Sequence, residues 1–99
     1  MITFSDNLFV SEKLKKNQKH LINKLRAGDS DTHFYVVYKN GENGRPEMMH
    51  SVYFRNRLFQ VMDLKVYGIT STKPEAVKVL AGLYTDMNDL ILDDDEDSE

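Results

Sequence analysis

Hydrophobic residues recur at helical spacing in the first third of the chain. Around residues 11–27 they form one apolar stripe, made of Val10, Leu14, Leu21 and Leu25. Ser11 can cap the start of a helix here, and Gly28 stands just past its last turn, where glycine commonly ends helices. The spacing therefore predicts a helix over residues 11–27.

A second helical pattern occupies the C-terminal third. Thr72 and Glu75 have the spacing of a capping box, and Pro74 falls in the first turn, where proline is tolerated. Apolar residues then recur at helical spacing as Ala76, Val79, Leu80, Leu83, Met87 and Leu90. This pattern predicts a helix that ends near residue 90.

Between these helices the chain is rich in aromatic and β-branched residues, which favour strands. Three strands are predicted, over residues 33–39, 48–55 and 58–69. Residues 40–46 contain two Asn-Gly steps and a proline, so the first two strands should form a hairpin. Both faces of these strands carry apolar side chains, as the neighbours Val36 and Val37 illustrate.

The order of helix, three strands and helix (α-β-β-β-α) predicts an α+β fold in two layers. We expect an antiparallel sheet of three strands, or of four if a further segment joins it, with both helices on one face. The other face would then be covered by the segment Ile2–Val10, by a second copy of the chain, or by a partner. Residues 1–91 are expected to form one domain, and residues 92–99 a disordered acidic tail.

Charge is divided unevenly along the chain. All 13 lysines and arginines lie in residues 1–85, whereas residues 86–99 contain eight acids and no base. Six of the bases lie on the first predicted helix, opposite its apolar stripe: Lys13, Lys15, Lys16, Lys19, Lys24 and Arg26. Clustered cations displace counterions from nucleic-acid phosphates, so this arc is a candidate nucleic-acid-binding surface. The alternative is a solvated helix face that serves solubility.

The negative half of the chain begins where the last helix ends. An apolar triplet directly precedes a run of acids, and together they comprise Leu90, Ile91, Leu92, Asp93, Asp94, Asp95, Glu96 and Asp97. Peptides of this form add a strand to a partner's sheet beside a basic patch, so the segment is a candidate protein-binding site. The alternative is that Leu90 and Ile91 finish the helix and the acids only solubilise the chain.

The sequence gives little support for an enzymatic function. The chain has no cysteine, no phosphate-binding glycine motif and no spaced acidic loop that would bind calcium. His20, His33 and His50 are the candidates for acid–base work near neutral pH, and their spacing does not place them together. We therefore expect no catalytic residue, metal or cofactor, and a ribonuclease that uses His33 or His50 is the least favoured class.

The leading hypothesis is a small non-enzymatic regulatory protein whose basic helix contacts a nucleic-acid backbone, with the acidic tail as an internal competitor. The alternative is an inhibitor or adaptor of the phage or mobile-element type, whose tail occupies the basic nucleic-acid-binding site of a protein partner. A homodimer through the second sheet face is compatible with either hypothesis. The sequence has no apolar run long enough for a membrane span and no signal-peptide pattern, so we expect a soluble, cytoplasmic protein.

Overall fold

The computed structural model describes residues 2–28, 33–41, 44–55, 59 and 61–88 of the chain. The elements are, in chain order, β1 (Ile2–Val10), a first 3₁₀ segment (Glu12–Asn17), α1 (Gln18–Ala27), β2 (Tyr35–Asn40), β3 (Pro46–His50), a second 3₁₀ segment (Ser51–Arg55), β4 (Leu64–Thr70) and α2 (Lys73–Asn88). The α+β class predicted from the sequence is confirmed.

The four strands form one mixed sheet in the order β1-β4-β2-β3. β2 pairs antiparallel with both β3 and β4, so the predicted hairpin is confirmed. β1 pairs parallel with β4, with Ile2 opposite Leu64, and the expectation of a purely antiparallel sheet is wrong at this edge. The N-terminal segment joins the sheet instead of covering its second face, because its apolar residues have the two-residue period of a half-buried strand. These residues are Ile2, Phe4, Leu8 and Val10.

The edge strand β1 contains a large bulge. Phe4 lies opposite Val66 and Phe9 lies opposite Gly68, so residues 5–8 of β1 face Tyr67 alone. A bulge of this kind bends the strand and interrupts the regular row of backbone groups along a sheet edge.

α1 covers one face of the sheet, which we call the first face. Leu21 and Leu25 of α1 are buried there together with residues of the strands and of the second 3₁₀ segment. This first-face core also contains Ile2, Phe34, Val36, Tyr38, Phe54, Leu64, Val66 and Ile69. Burial is the main cause that raises the pKa of the Tyr38 hydroxyl, and a hydrogen bond with Glu47 raises it further. The hydroxyl therefore keeps its proton at all ordinary pH values.

The first predicted helix differs from the prediction at its start. The chain is 3₁₀-helical over Glu12–Asn17, and the α-helix begins at Gln18. Ser11 precedes the 3₁₀ segment without capping it, because its hydroxyl bonds to groups at the start of α2. The predicted end is confirmed, since Gly28 takes the left-handed conformation (φ 71°) and its N–H donates to the carbonyl oxygen of Leu25.

α2 covers the opposite face, which we call the second face, and packs on β2, β3 and β4. Val37 is buried on this face, and a Cβ built on Gly68 beside it would lie 3.0 Å from Cγ1 of Val79. The expectation of two layers with both helices on one face is therefore wrong: the helices enclose the sheet in three layers. The reason lies in β2, where Val36 and Val37 are both fully buried, so each face needs its own cover.

The strand boundaries in the second half of the chain differ from the predicted ones. β3 ends at His50 rather than at residue 55, because Ser51–Arg55 forms a 3₁₀ segment that brings Phe54 into the first-face core. The last strand begins at Leu64 rather than near residue 58. The last helix is described as far as Asn88, and the acidic tail, residues 92–99, lies outside the described residues.

Candidate functional site

The six predicted basic residues lie on one helical element that runs from the first 3₁₀ segment into α1. Lys13, Lys15, Lys16, Lys19 and Arg26 are exposed, and Lys24 is half-buried. The element is held in place because Leu21 and Leu25, on its other side, are buried in the first-face core. The structure therefore places the predicted nucleic-acid-binding residues together on one outward surface, which we call the basic face.

Glu12 and Phe4 each contact a side chain of the basic face. Nζ of Lys15 donates to Oε1 of Glu12 at 3.2 Å, and both side chains are exposed. Such surface ion pairs contribute only about 0.2–1 kcal/mol, so a phosphate group can replace Glu12 at small cost. The guanidinium carbon of Arg26 lies 5.1 Å from the ring centroid of Phe4, and this cation–π contact places Arg26 beside the edge strand β1.

The 3₁₀ form of the first segment affects how its cations are arranged. Residues three apart lie in line on a 3₁₀ helix, so Lys13 and Lys16 share one edge of the segment, about 6 Å apart along its axis. A line of ammonium groups suits contact with a phosphate backbone. Base edges are read best by the guanidinium fork, and Arg26 is the one arginine of the basic face.

The predicted protein-binding segment, residues 90–97, lies outside the described residues, so its role stays a prediction. The structure describes the helix that leads to it. Tyr84 of α2 donates from Oη to the carbonyl oxygen of Pro46 at 3.0 Å, which fixes the last turns of α2 over the start of β3. The described part of α2 therefore ends on the second face of the sheet, whereas the basic face belongs to the first.

A cluster of hydroxyls around Glu75 was missed by the sequence prediction. Oγ of Ser11 and Oγ of Ser71 donate to Oε1 of Glu75 at 2.6 and 3.2 Å, and Oγ1 of Thr72 donates at 3.4 Å. The hydrogen bond from Ser11 is the main cause that lowers the pKa of Glu75. The capping-box pattern showed Thr72 and Glu75, but local spacing says nothing about Ser11, which is 64 residues away from Glu75.

The Glu75 cluster joins the carboxyl ends of the two parallel strands. The N–H of Ser11 donates to the carbonyl oxygen of Ile69 at 3.0 Å, and the N–H of Ser71 donates to Oγ of Ser11 at 3.0 Å. The chain leaves β1 toward the first face and leaves β4 toward the second, so a crevice of about 260 Å³ opens beside Lys13. Crevices at this position in parallel sheets often bind ligands. Here the Glu75 carboxylate already accepts hydrogen bonds from the surrounding hydroxyls, so the cluster links the start of the first 3₁₀ segment to the start of α2.

His33 and His50 lie side by side, contrary to the prediction that their spacing keeps them apart. Their ring centroids are 5.2 Å apart, with the rings tilted by 48°. The prediction failed because it extended the return strand past His50, whereas His50 ends β3 opposite Tyr35. Nδ1 of His50 accepts a hydrogen bond from the N–H of Val52 at 3.1 Å, and His20 is exposed on α1. Across the described part of the chain, no three His, Asp or Glu side chains are grouped to hold a metal ion.

No protein-family model, no curated protein and no solved structure matches the chain. None of the helices in the described residues is long and apolar enough to cross a membrane. Within the described residues, the basic face brings six cations together on one helical element, five of them exposed.

Proposed function

We propose that this protein is a small non-enzymatic regulatory protein that binds a nucleic-acid backbone through the basic face, with its acidic tail as an internal competitor. The observation that supports the proposal is the exposure of five cations on one helical element whose other side is buried. The surface is outward, basic and anchored by α1, which are the properties that backbone binding requires.

Binding of this kind gains free energy from the release of counterions. Each phosphate that the basic face neutralises contributes about −0.9 to the slope of log K against log salt on duplex DNA, and about −0.7 on single strands. The acids of residues 86–99 would occupy the same lysines when no nucleic acid is present. Because both contacts are between exposed charges, added salt weakens both.

The basic face is tested by Lys15→Glu combined with Lys19→Glu. We expect this variant to abolish binding, because it replaces two central cations by anions while both positions remain solvent-exposed. Fluorescence anisotropy with labelled duplex and single-stranded oligonucleotides at several salt concentrations gives the affinity and the salt slope. For the wild type we expect a slope between about −3 and −5, from four or five neutralised phosphates.

The control is Lys73→Glu, which makes the charge change of one of these two substitutions at an exposed position in the first turn of α2. This control should retain binding with a nearly unchanged salt slope. Equal affinity of the double variant and the wild type would show that the basic face is not the binding surface.

Competition by the tail is tested by deletion of residues 91–99. If the tail occupies the basic face, the deletion tightens nucleic-acid binding, most strongly at low salt, where exposed charges interact over the longest distance. Unchanged affinity at low salt would remove the competitor from the proposal and leave the basic face as a simple binding surface.

The second candidate is an inhibitor or adaptor whose tail occupies the basic nucleic-acid-binding site of a protein partner. It is favoured by the position of α2, because the last described residues of this helix lie on the face of the sheet opposite the basic face. Deletion of residues 91–99 would then weaken the activity. A pull-down from a lysate of the source cells, with and without nuclease, separates the two candidates: a partner retained after nuclease favours the adaptor, and a nuclease-sensitive one favours nucleic acid.

A further inference from the structure

A groove runs along the second face between α2 and the edge strand β1. α2 packs mainly on β2, β3 and β4 and leaves Phe9 of β1 partly exposed on this face. A cavity of about 390 Å³ is lined there by Phe9, Tyr67, Val79, Gly82 and Leu83, and the β1 bulge adds the polar residues Ser5 and Asn7. A neighbouring cavity of about 400 Å³ shares Phe9 and Val79 with it. We call this continuous depression the second-face groove.

Phe9 and Tyr67 give the second-face groove an aromatic part, and its wall is open at Gly82 of α2. Phe9 is 43% exposed, although it belongs to a strand of the sheet. A Cβ built on Gly82 would have no heavy atom within 4 Å, so the helix surface there leaves room for a side chain from elsewhere. Covering an exposed aromatic ring with apolar groups is favourable, which makes the groove suited to a short apolar segment.

Lysines flank the second-face groove. The Nζ atoms of Lys39 and Lys65 lie 5.1 and 5.6 Å from the ring centroid of Tyr67, at the end of the groove where α2 finishes. Lys78 lies at the other end, in the neighbouring cavity. Glu75 shares that end, but its carboxylate is held by the hydroxyls of Ser11 and Ser71. An apolar segment followed by acids is therefore complementary to the groove in both respects.

The chain itself carries such a segment directly after α2. Leu83 in the groove lies five residues before Asn88, the last described residue, which is about 7.5 Å along the helix axis. The four residues from Asn88 to Leu92 extend up to about 14 Å, so the triplet at positions 90–92 can turn back and reach Leu83 and Tyr67. Attachment to the same chain gives such a short segment an effective concentration in the millimolar range.

We propose that residues 90–92 dock in the second-face groove of their own chain and place the acids that follow them among Lys39, Lys65 and Lys78, the lysines that flank the groove. The docked triplet would cover Phe9 and Tyr67, and the last acids would lie near the β1 edge of the sheet. Arg26 of the basic face lies across that edge, over the ring of Phe4. In this last respect the inference rests on the proposed function, because anchoring fixes the place from which the acids reach the basic face.

Docking is tested on the full chain with a paramagnetic label. The sequence has no cysteine, so Ser98→Cys gives a single position for a nitroxide without a change of charge. We expect the label to broaden the backbone amide signals of Tyr67, Val79 and Gly82, and signals on β3 to stay sharp. Dilution with unlabelled protein should leave the broadening unchanged, because it arises within one chain.

Two variants of the labelled chain block docking from opposite sides. Gly82→Leu places an apolar side chain in the groove, at a position where a Cβ meets no heavy atom within 4 Å. The triple change of Leu90, Ile91 and Leu92 to Ser removes the apolar anchor. Both variants should abolish the broadening. Ala81→Leu, on the neighbouring exposed position of α2, is the matched control and should retain it. Sharp groove signals in the labelled wild type, or broadening that both blocking variants keep, would overturn the inference. Broadening that disappears on dilution would assign the groove to a second copy instead.

The result is independent of nucleic-acid binding. If the tail docks while Lys15→Glu with Lys19→Glu still binds oligonucleotides, the proposed function fails and the docking stands. If the double variant loses binding while the groove signals stay sharp in the labelled wild type, only the docking fails.

Discussion

The two faces of the sheet are covered to different degrees. On the first face Leu25 is 0% exposed and Leu21 is 1% exposed, although α1 has only ten residues. On the second face the 16-residue α2 leaves Phe9 43% exposed. The difference shows that coverage depends on where a helix crosses the sheet and on what surrounds it, more than on the length of the helix. The first face is completed by Phe54 of the second 3₁₀ segment, whereas nothing in the described residues completes the second face beside β1.

The largest effect on stability should come from a cavity in the first-face core. Leu25→Ala removes a fully buried side chain from the first-face core and should lower the free energy of unfolding by about 2–5 kcal/mol. Phe9→Ala, on the half-open face, should change it by about 1 kcal/mol or less. Urea unfolding of both variants measures the contrast. Equal losses would show that the second face is as tightly packed as the first.

A smaller effect should separate the two halves of the second face. In Gly68→Val the new side chain meets Cγ1 of Val79 and Cβ of Val37, which a Cβ at this position would approach to 3.0 and 3.5 Å. Because Val79 and Val37 already fill the space beside Gly68, we expect the free energy of unfolding to fall by about 1–3 kcal/mol. Gly82→Ala, in the open half, meets no atom and should instead stabilise the helix by about 0.5–1 kcal/mol. Chemical denaturation of the pair tests the contrast, and a loss at both positions would contradict it.

The smallest expected change in stability concerns the Glu75 cluster, which links the helical elements on the two faces of the sheet. The pKa of Glu75 lies below its ordinary value of 4.5 in the folded protein. The unfolded chain therefore binds a proton more readily, so the stabilisation is complete above about pH 4.5 and is lost as the pH falls through the folded pKa. Glu75→Gln should be less stable than the wild type at pH 7, and its stability should fall less steeply below pH 4.5.

Ser11→Ala is the companion variant, because it removes the strongest hydrogen bond but keeps the carboxylate. It should raise the pKa of Glu75 toward the ordinary value and so shrink the same pH dependence. Thermal melts between pH 3 and 7 measure all three proteins. A Gln variant whose stability falls with pH as steeply as that of the wild type would show that Glu75 is not the titrating group.

Local patterns in the sequence predicted local features correctly. Helical spacing found both helices, Gly28 marked the end of the first, and the Asn-Gly steps marked the β2–β3 hairpin. The basic face followed directly, because six cations opposite Leu21 and Leu25 must point outward once those leucines are buried.

Features that join distant residues could not be predicted in this way. The parallel pair of β1 and β4 brings Ile2 opposite Leu64, and no turn signal specifies such a partner. The hydroxyls around Glu75 depend on that pairing, as does the second-face groove. One signal was available: apolar residues at both Val36 and Val37 already implied that each face of the sheet must be covered.

The parallel pairing at the sheet edge also sets an order of assembly during synthesis. β1 leaves the ribosome about 60 residues before β4, which at about 5–20 residues per second is a delay of several seconds. During that time the earliest strand has no neighbour, and closing so long a loop makes its pairing slow. The hairpin of β2 and β3 can form meanwhile from local contacts. Of the four strands, β1 is thus translated first, and we expect its pairing with β4 to be among the last steps of folding.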